Sequence, residues 1–522
     1  MIHPMRRFIL LAAVLFSTAF GAWSAEIKLA SPFTSHMVLQ CGLPVPVWGT
    51  AEPGEEVTVE FAGQKKSVQA DAGGQWRVNL DALKVSAEGR TFTVTGSHTA
   101  QPIRLDDVLV GEVWLCSGQS NMDFTVAKTE KYYFAGVTNE AAEVAAADYP
   151  RLRMFSGEWT RSRTPCNTVA GAWKICTPDN VREFSAIGYF FARDLQRELK
   201  VPVGILTLTY GASTAQAWIR RETIAANPKL KPVLDEFDAK MKAYVPPTEE
   251  ELQQWRAATN RAKAEGKRAP RPPKPNPDQD QHNPTVLFNG MIAPVVPYAV
   301  RGVLWYQGES ITPPKELFPL WTKTLITDWR KLWGRELPFY FCQVAALQNN
   351  SNDPQVREWQ SEALRLPKTA MAVTIDIGDE KNVHPKNKQD VGDRLTRVAL
   401  ANVYGRQIEY SGPVYESMMV EGNAIRLKFS HLGGGLVAKN GPLQTFEIAG
   451  ADRKFVPAEA KIDGDSVLVG SGAVTNAVAV RYAWSSYPIG CNFYNAAGLP
   501  AAPFRTDALN SNPSPIDDKI LR

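Results

Sequence analysis

The sequence predicts an α/β fold, a parallel sheet flanked by helices, with additional β-sandwich-like regions at its N- and C-terminal ends. Three observations carry this. Five runs in the middle of the chain, DVLVGEVWLCSG, VPVGILTLTYG, AVRGVLWYQG, LPFYFCQVA and TAMAVTIDIGD, are apolar nearly throughout. Strands covered on both faces by helices read that way. Between several of them lie helix-period segments, from Ile187 to Leu199 and across Trp321, Leu325, Trp329 and Leu332. On either side of this middle, short runs alternate apolar with polar residues and are punctuated by Gly, Pro and Asp.

Taken in order, the chain opens with Arg6 and Arg7, an apolar run from Phe8 to Phe20, and small residues at Ala22, Ser24 and Ala25. That order is expected of a signal peptide over 1–25 and of a periplasmic or secreted protein. The run is short for a membrane span, and nothing later is long and apolar enough to be one. Residues 26–105, with VPVWG, EEVTVEF, GQWRVNL and RTFTVTG, are expected to form an N-terminal β domain. Residues 106–405 are the α/β part, interrupted by an insertion over about 220–285. Between Pro246 and Asn283 the insertion is first charged and then Pro-rich, as an exposed helix and a surface connection would be. Residues 406–522, with AIRLKFS, DSVLVGSG and AVAVRYAW, return to a β-rich pattern.

Composition removes some function classes. With 58 basic and 54 acidic residues the formal charge is +4, which gives no footing for nucleic acid or an acidic membrane surface. The six cysteines, Cys41, Cys116, Cys166, Cys176, Cys342 and Cys491, are sparse and show no metal-ligand spacing. No metal or organic cofactor is expected. Cys166 and Cys176 are the pair able to bridge in an oxidising compartment.

Ligands of open α/β sheets bind outside the carboxyl ends of the strands. After the first strand comes Ser117-Gly118-Gln119-Ser120-Asn121-Met122, and after the second Tyr210-Gly211-Ala212-Ser213. Gln307-Gly308-Glu309-Ser310 follows the third, and Asp376 to Asp379 with His384-Pro385 follows the fifth. A serine, a glycine amide, a glutamine amide and a histidine gathered at one edge supply a nucleophile, two oxyanion donors and a base.

These residues resemble the SGNH-hydrolase superfamily and, within it, the sialate O-acetylesterase family. The likeness lies in SGQSNM, GILTLTYGASTAQAW, LFNGMIAPVVPYAVRGVLWYQGES, DIGDEKNVHPKNKQDVGDRL and GLPAAPFRTD, spread from about Ala30 to Asp507. The resemblance implies that Ser120 is the nucleophile and His384 the base, with Gly211 and Gln307 donating to the oxyanion beside the Ser120 amide. It implies a serine esterase that removes acetyl groups from a carbohydrate, foremost 9-O-acetylated sialic acids, through an acetyl-serine intermediate. Acetylated xylan or another polysaccharide is the alternative substrate.

Two positions depart from the superfamily pattern. Gln307 stands where many members have asparagine, and either amide can donate. Lys381 stands where many place the acid, which leaves Asp379 as the expected acid, Asp376 and Glu309 as alternatives, and a Ser-His dyad if none serves. Trp218 is kept as the substrate-binding candidate, a sugar platform, although a tryptophan at such a place is more often core. Two other classes stay open: a non-catalytic carbohydrate-binding protein, and a glycosidase pairing Glu309 with Asp376 or Asp379. An intact Ser120 and His384 argue against both.

Overall fold

The computed structural model describes residues 26–99, 101–348 and 354–507; the expected signal peptide lies outside them. Seven strands form the central sheet: β1 (Ile103–Gly118), β2 (Tyr149–Ser156), β3 (Trp173–Cys176), β4 (Val203–Thr209), β5 (Gly302–Tyr306), β6 (Phe339–Cys342) and β7 (Thr369–Ala372). Their order is β3-β2-β4-β1-β5-β6-β7. All neighbours run parallel except β3, which closes the edge antiparallel to β2. β4, β5 and β6 are buried along their whole length, and β1 is buried from Val108 to Gly118, as their uninterrupted apolar sequences require.

The helices follow from their ends as much as from their apolar faces. α1 is the single turn Ser120–Asp123. α2 (Ala186–Leu199) starts where the Ser185 hydroxyl accepts the Gly188 amide. α3 (Glu249–Ala264) carries a capping box between Thr248 and Glu251 and buries none of its residues, so the charged start of the insertion is an exposed helix. α4 (Phe318–Trp333) has Pro319 in its first turn and left-handed Gly334 just past its end. α5 (Gln389–Asn402) packs against α2, where Gly392 meets Phe190 so closely that an added Cβ would lie 2.4 Å from the Phe190 Cβ.

β1 does two jobs. Its first half pairs antiparallel with Ser86–Gly96 of the N-terminal β region, and its second half is the middle of the parallel sheet. The expected boundary at 105/106 therefore falls inside one continuous strand. A single apolar core runs from Phe33, Val47 and Phe92 to Trp218, Trp305 and Trp329. The C-terminal region has two four-stranded antiparallel sheets and its own core around Phe429, Phe446 and Tyr482. It meets the α/β part through Arg505–Glu358 and through the Arg357 guanidinium, which donates to the Ser485 and Ser486 carbonyls.

All six cysteines are free, so Cys166 and Cys176 do not bridge. No helix among the described residues is long and apolar enough to cross a membrane.

Candidate active site

Three strand ends meet at the carboxyl edge and are stitched by backbone hydrogen bonds. The Gln119 amide donates to the Tyr306 carbonyl (2.8 Å), and the Tyr210 amide donates to the Gly118 carbonyl (3.0 Å). Gly118 allows this crossing. At φ +131°, a Cβ there would stand 2.1 Å from the Tyr306 carbonyl oxygen. The chain then turns at once into α1, with Ser120 as its first residue. A buried strand thus ends with a hydroxyl carried off the sheet edge.

The Ser120 Oγ lies 2.8 Å from the His384 Nε2, a hydrogen bond between residues 264 positions apart. Gly211 is beside them: a Cβ on it would lie 3.9 Å from the Ser120 Cβ. The Phe134 ring lies against the imidazole, with centroids 4.5 Å apart and planes 32° from parallel. That packing restricts ring rotation.

Behind the pair is a buried polar network centred on Asn121. Its Nδ2 donates to the Glu309 Oε1 (2.5 Å) and to the Val383 carbonyl (3.0 Å), and its Oδ1 accepts from the Lys388 Nζ (2.7 Å). Two acceptors on one side and a cationic donor on the other fix the amide's orientation. Asn121, the residue after Ser120, is thus tied to Val383, the residue before His384. Glu309 is half-buried, its second carboxylate oxygen is out of solvent with no hydrogen-bond partner, and desolvation raises its carboxyl above the usual range. Lys388 is buried, its ammonium 4.6 Å from the Phe124 ring. Burial pulls it down to about 7, against the opposing pull of Glu309. Burial and then the nearby Lys388 charge depress the His384 imidazole to about 4. Next along α1, buried Asp123 accepts the Thr209 hydroxyl (2.5 Å), and burial lifts its carboxyl to about 6.

Three expectations need correction. Exposed Asp379 accepts the backbone amides of Lys381 and Asn382 at 2.9 Å each, so it caps a turn rather than holding His384. Asp376 is committed to Arg394 in a bidentate pair (2.7 and 2.6 Å) and to the Tyr494 hydroxyl. Among the described residues no carboxylate pairs with the His384 ring. Gln307 sits at the edge as expected, but its Nε2 donates to the Ser213 and Ser310 carbonyls (3.2 and 2.6 Å). Both amide protons are spent, and the opposite amide orientation would set oxygen against oxygen, so Gln307 braces two loops here. Trp218 is fully buried, with its indole N–H on the Ser213 hydroxyl and its ring edge-on to Trp305. It is core and not a platform.

The groups that sequence reasoning left without a role are Asn121, Lys388 and Phe134. Asn121 and Lys388 lie inside the quoted motifs, yet nothing in the residue order says that a lysine will be buried.

Residues 282–401 match the family described as carbohydrate esterase, sialic acid-specific acetylesterase. The chain is 28% identical to the sialate O-acetylesterase of Mus musculus over 535 residues, covering 91% of this chain and 94% of the relative. Its identity to the sialate O-acetylesterase of Homo sapiens is also 28%, over 91% of this chain and 92% of the relative. Among solved structures, a carbohydrate acetylesterase from Xanthomonas citri superimposes with a TM-score of 0.77 at 35% identity, covering 92% of this chain and all (100%) of that one.

Proposed function

We propose that this chain, which belongs to the sialate O-acetylesterase family of carbohydrate esterases, removes acetyl groups from O-acetylated sialic acids by way of an acetyl-serine intermediate. The observation that carries the reaction type is the 2.8 Å contact between the Ser120 Oγ and the His384 Nε2 at the sheet edge. The names of the relatives support sialate as the substrate.

The steps follow from the residues present. His384 Nε2 takes the Ser120 proton as the Oγ attacks the acetyl carbonyl carbon. The negative charge that forms on the carbonyl oxygen is met by the backbone N–H groups of Ser120, at the start of α1, and of Gly211. The intermediate collapses, the sugar oxygen leaves and takes the proton from His384, and the acetyl group stays on Ser120. His384 then takes a proton from water, which attacks the acetyl-serine carbonyl, and returns it to the Ser120 Oγ as that oxygen leaves and acetate is released.

An imidazole held near 4 is neutral, and so able to accept a proton, at any higher pH. No carboxylate is needed to orient it in this scheme. Phe134 packing and the Asn121 bond to the Val383 carbonyl hold the ring and the loop that carries it. Export to the periplasm or the cell exterior is supported by the charge and apolar order of residues 1–25.

Acetate release from 9-O-acetylated sialic acid, compared with acetylated xylan, tests the substrate. Release from the sialate, abolished in Ser120→Ala, is the expected result. Release from xylan alone moves the substrate to a polysaccharide, and no release from either removes the carbohydrate.

A further inference from the structure

Most aromatic side chains of this protein are packed into cores. Among the described residues, Tyr133 and Trp159 are the aromatic side chains that stand exposed, at 72% and 39%. Neither is scattered at random on the surface. Both belong to a line of rings that begins at His384 and ends beside Ser120. Phe134 lies on His384 (4.5 Å), Tyr133 stands edge-on to Phe134 (5.7 Å), and Tyr132 meets both Phe134 (6.3 Å) and Trp159 (5.9 Å). Trp159 in turn lies 5.5 Å from Tyr210, the residue before Gly211. The line thus closes an arc along one flank of the reacting pair, joining the loop after α1 to the loop after β2 and the end of β4.

Tyr132 and Phe134 rest against the core, while Tyr133 and Trp159 leave it for solvent. Two cations pack on the rings of the arc. The Lys131 ammonium stands 4.6 Å over the Trp159 ring and 5.0 Å over the Tyr132 ring, and Lys131 forms no ion pair among the described residues. The Arg161 guanidinium lies 5.3 Å over the Tyr210 ring and donates to the Gln279 carbonyl, which ties the arc's far end to the insertion. Exposed rings joined through half-buried ones on the flank of the Ser120–His384 pair are a surface that an apolar ligand face can meet.

We propose that Trp159 and Tyr133, with Tyr132 and Tyr210 behind them, form a platform that binds a pyranose ring of the glycan whose acetyl ester reaches Ser120. The chemistry matches. One face of a sugar ring is lined by C–H groups that pack on an aromatic face, whose quadrupole is negative. The sugar's hydroxyls then project sideways toward water, and the sugar takes the Trp159 face opposite the one that Lys131 covers. The platform rests on the carbohydrate reading above and names the surface that carries it. It takes over the role that the buried Trp218 does not fill.

The test uses the full chain with three esters: a chromogenic nitrophenyl acetate, a 9-O-acetylated sialoside and an acetylated xylo-oligosaccharide. For each, kcat and KM are measured on wild type, Trp159→Ala, Trp159→Phe and Tyr133→Ala. For the glycan ester that wild type hydrolyses, the ratio of its kcat/KM to that on nitrophenyl acetate is expected to fall about tenfold in Trp159→Ala, the equivalent of about 1.4 kcal/mol. The change is carried mainly by KM and is largely restored in Trp159→Phe. A smaller fall in the same direction is expected in Tyr133→Ala, whose exposed side chain makes misfolding no explanation. An unchanged ratio in both alanine variants overturns the platform, as does an equal loss on glycan and nitrophenyl esters, which marks a structural role. If wild type turns over nitrophenyl acetate and neither glycan, the carbohydrate reading itself falls and the platform with it.

Discussion

Lys388 brings a positive charge into the interior beside His384, the proposed base, which must be neutral to accept a proton. Its ammonium is held by the Asn121 Oδ1 and faces the Phe124 ring, with Glu309 as the nearby opposing charge. The sign of its effect is clear. Burial is the larger cause and the Lys388 cation, which disfavours a second cation, adds to it, so His384 is pushed down to about 4 from the usual value near 6.5. The acid limb of kcat/KM should therefore lie well below that of an ordinary histidine enzyme. Replacing the charge by Lys388→Met is expected to move that limb upward by part of this shift, burial still holding it below the ordinary histidine value, so that activity near pH 5 falls more than activity near pH 8. A pH–rate profile checks this, with a melting curve to confirm folding; an unmoved limb contradicts it. Asp379 gives the opposite case. As a turn cap it should tolerate Asp379→Asn with a loss of less than about tenfold in kcat, whereas an acid that fixes the imidazole tautomer would cost about 10⁴. Ser120 and His384 were legible because their motifs place them at strand ends. The Asn121 network was not, because burial of a lysine and a glutamate depends on what packs around them, and Trp218 misled because a tryptophan in a loop sequence looks the same whether it faces sugar or core.

The elements were legible where burial is uniform. The five strands read from apolar runs all lie in the parallel sheet. β2 and β3 escaped because YPRLRMFS and WKIC mix charged and apolar residues, as suits the half-covered side of a sheet. At the turn that sets Ser120, local sequence and tertiary geometry agree: a residue with φ +131° and no room for a Cβ has to be glycine. Gly118→Ala places a methyl group into the backbone of β5. It is expected to destabilise by about 1–3 kcal/mol or more, as overpacking does, and to pull the Ser120 Oγ away from His384. Denaturant melts and turnover measured together check it. Near-wild-type values in both would contradict the close crossing of β1 and β5.

Across the whole molecule, the N-terminal β region is bound to the catalytic sheet by a shared strand and a shared core, while the C-terminal sheets keep a core of their own. Removing residues 26–105 takes away the strand Ser86–Gly96 that pairs with the first half of β1, and deletes Phe33, Val47 and Phe92 from the core shared with Trp218, Trp305 and Trp329. The remainder is expected to be insoluble or unfolded by circular dichroism; a folded, active fragment would contradict the continuity of that core. The C-terminal region bears on the site through Asp376, whose carboxylate joins Arg394 of α5 to Tyr494. All of this architecture serves to hold one hydroxyl against one imidazole. The most direct measurement is rapid quenching of the reaction with an acetyl ester, followed by mass spectrometry of the peptide that contains Ser120, alongside steady-state turnover of Ser120→Ala. The account predicts an acetyl group on Ser120 in the quenched wild-type enzyme and a loss of at least about a thousandfold in the folded variant. Near-wild-type acetate release by Ser120→Ala, or an acetyl group trapped on another residue, would contradict it.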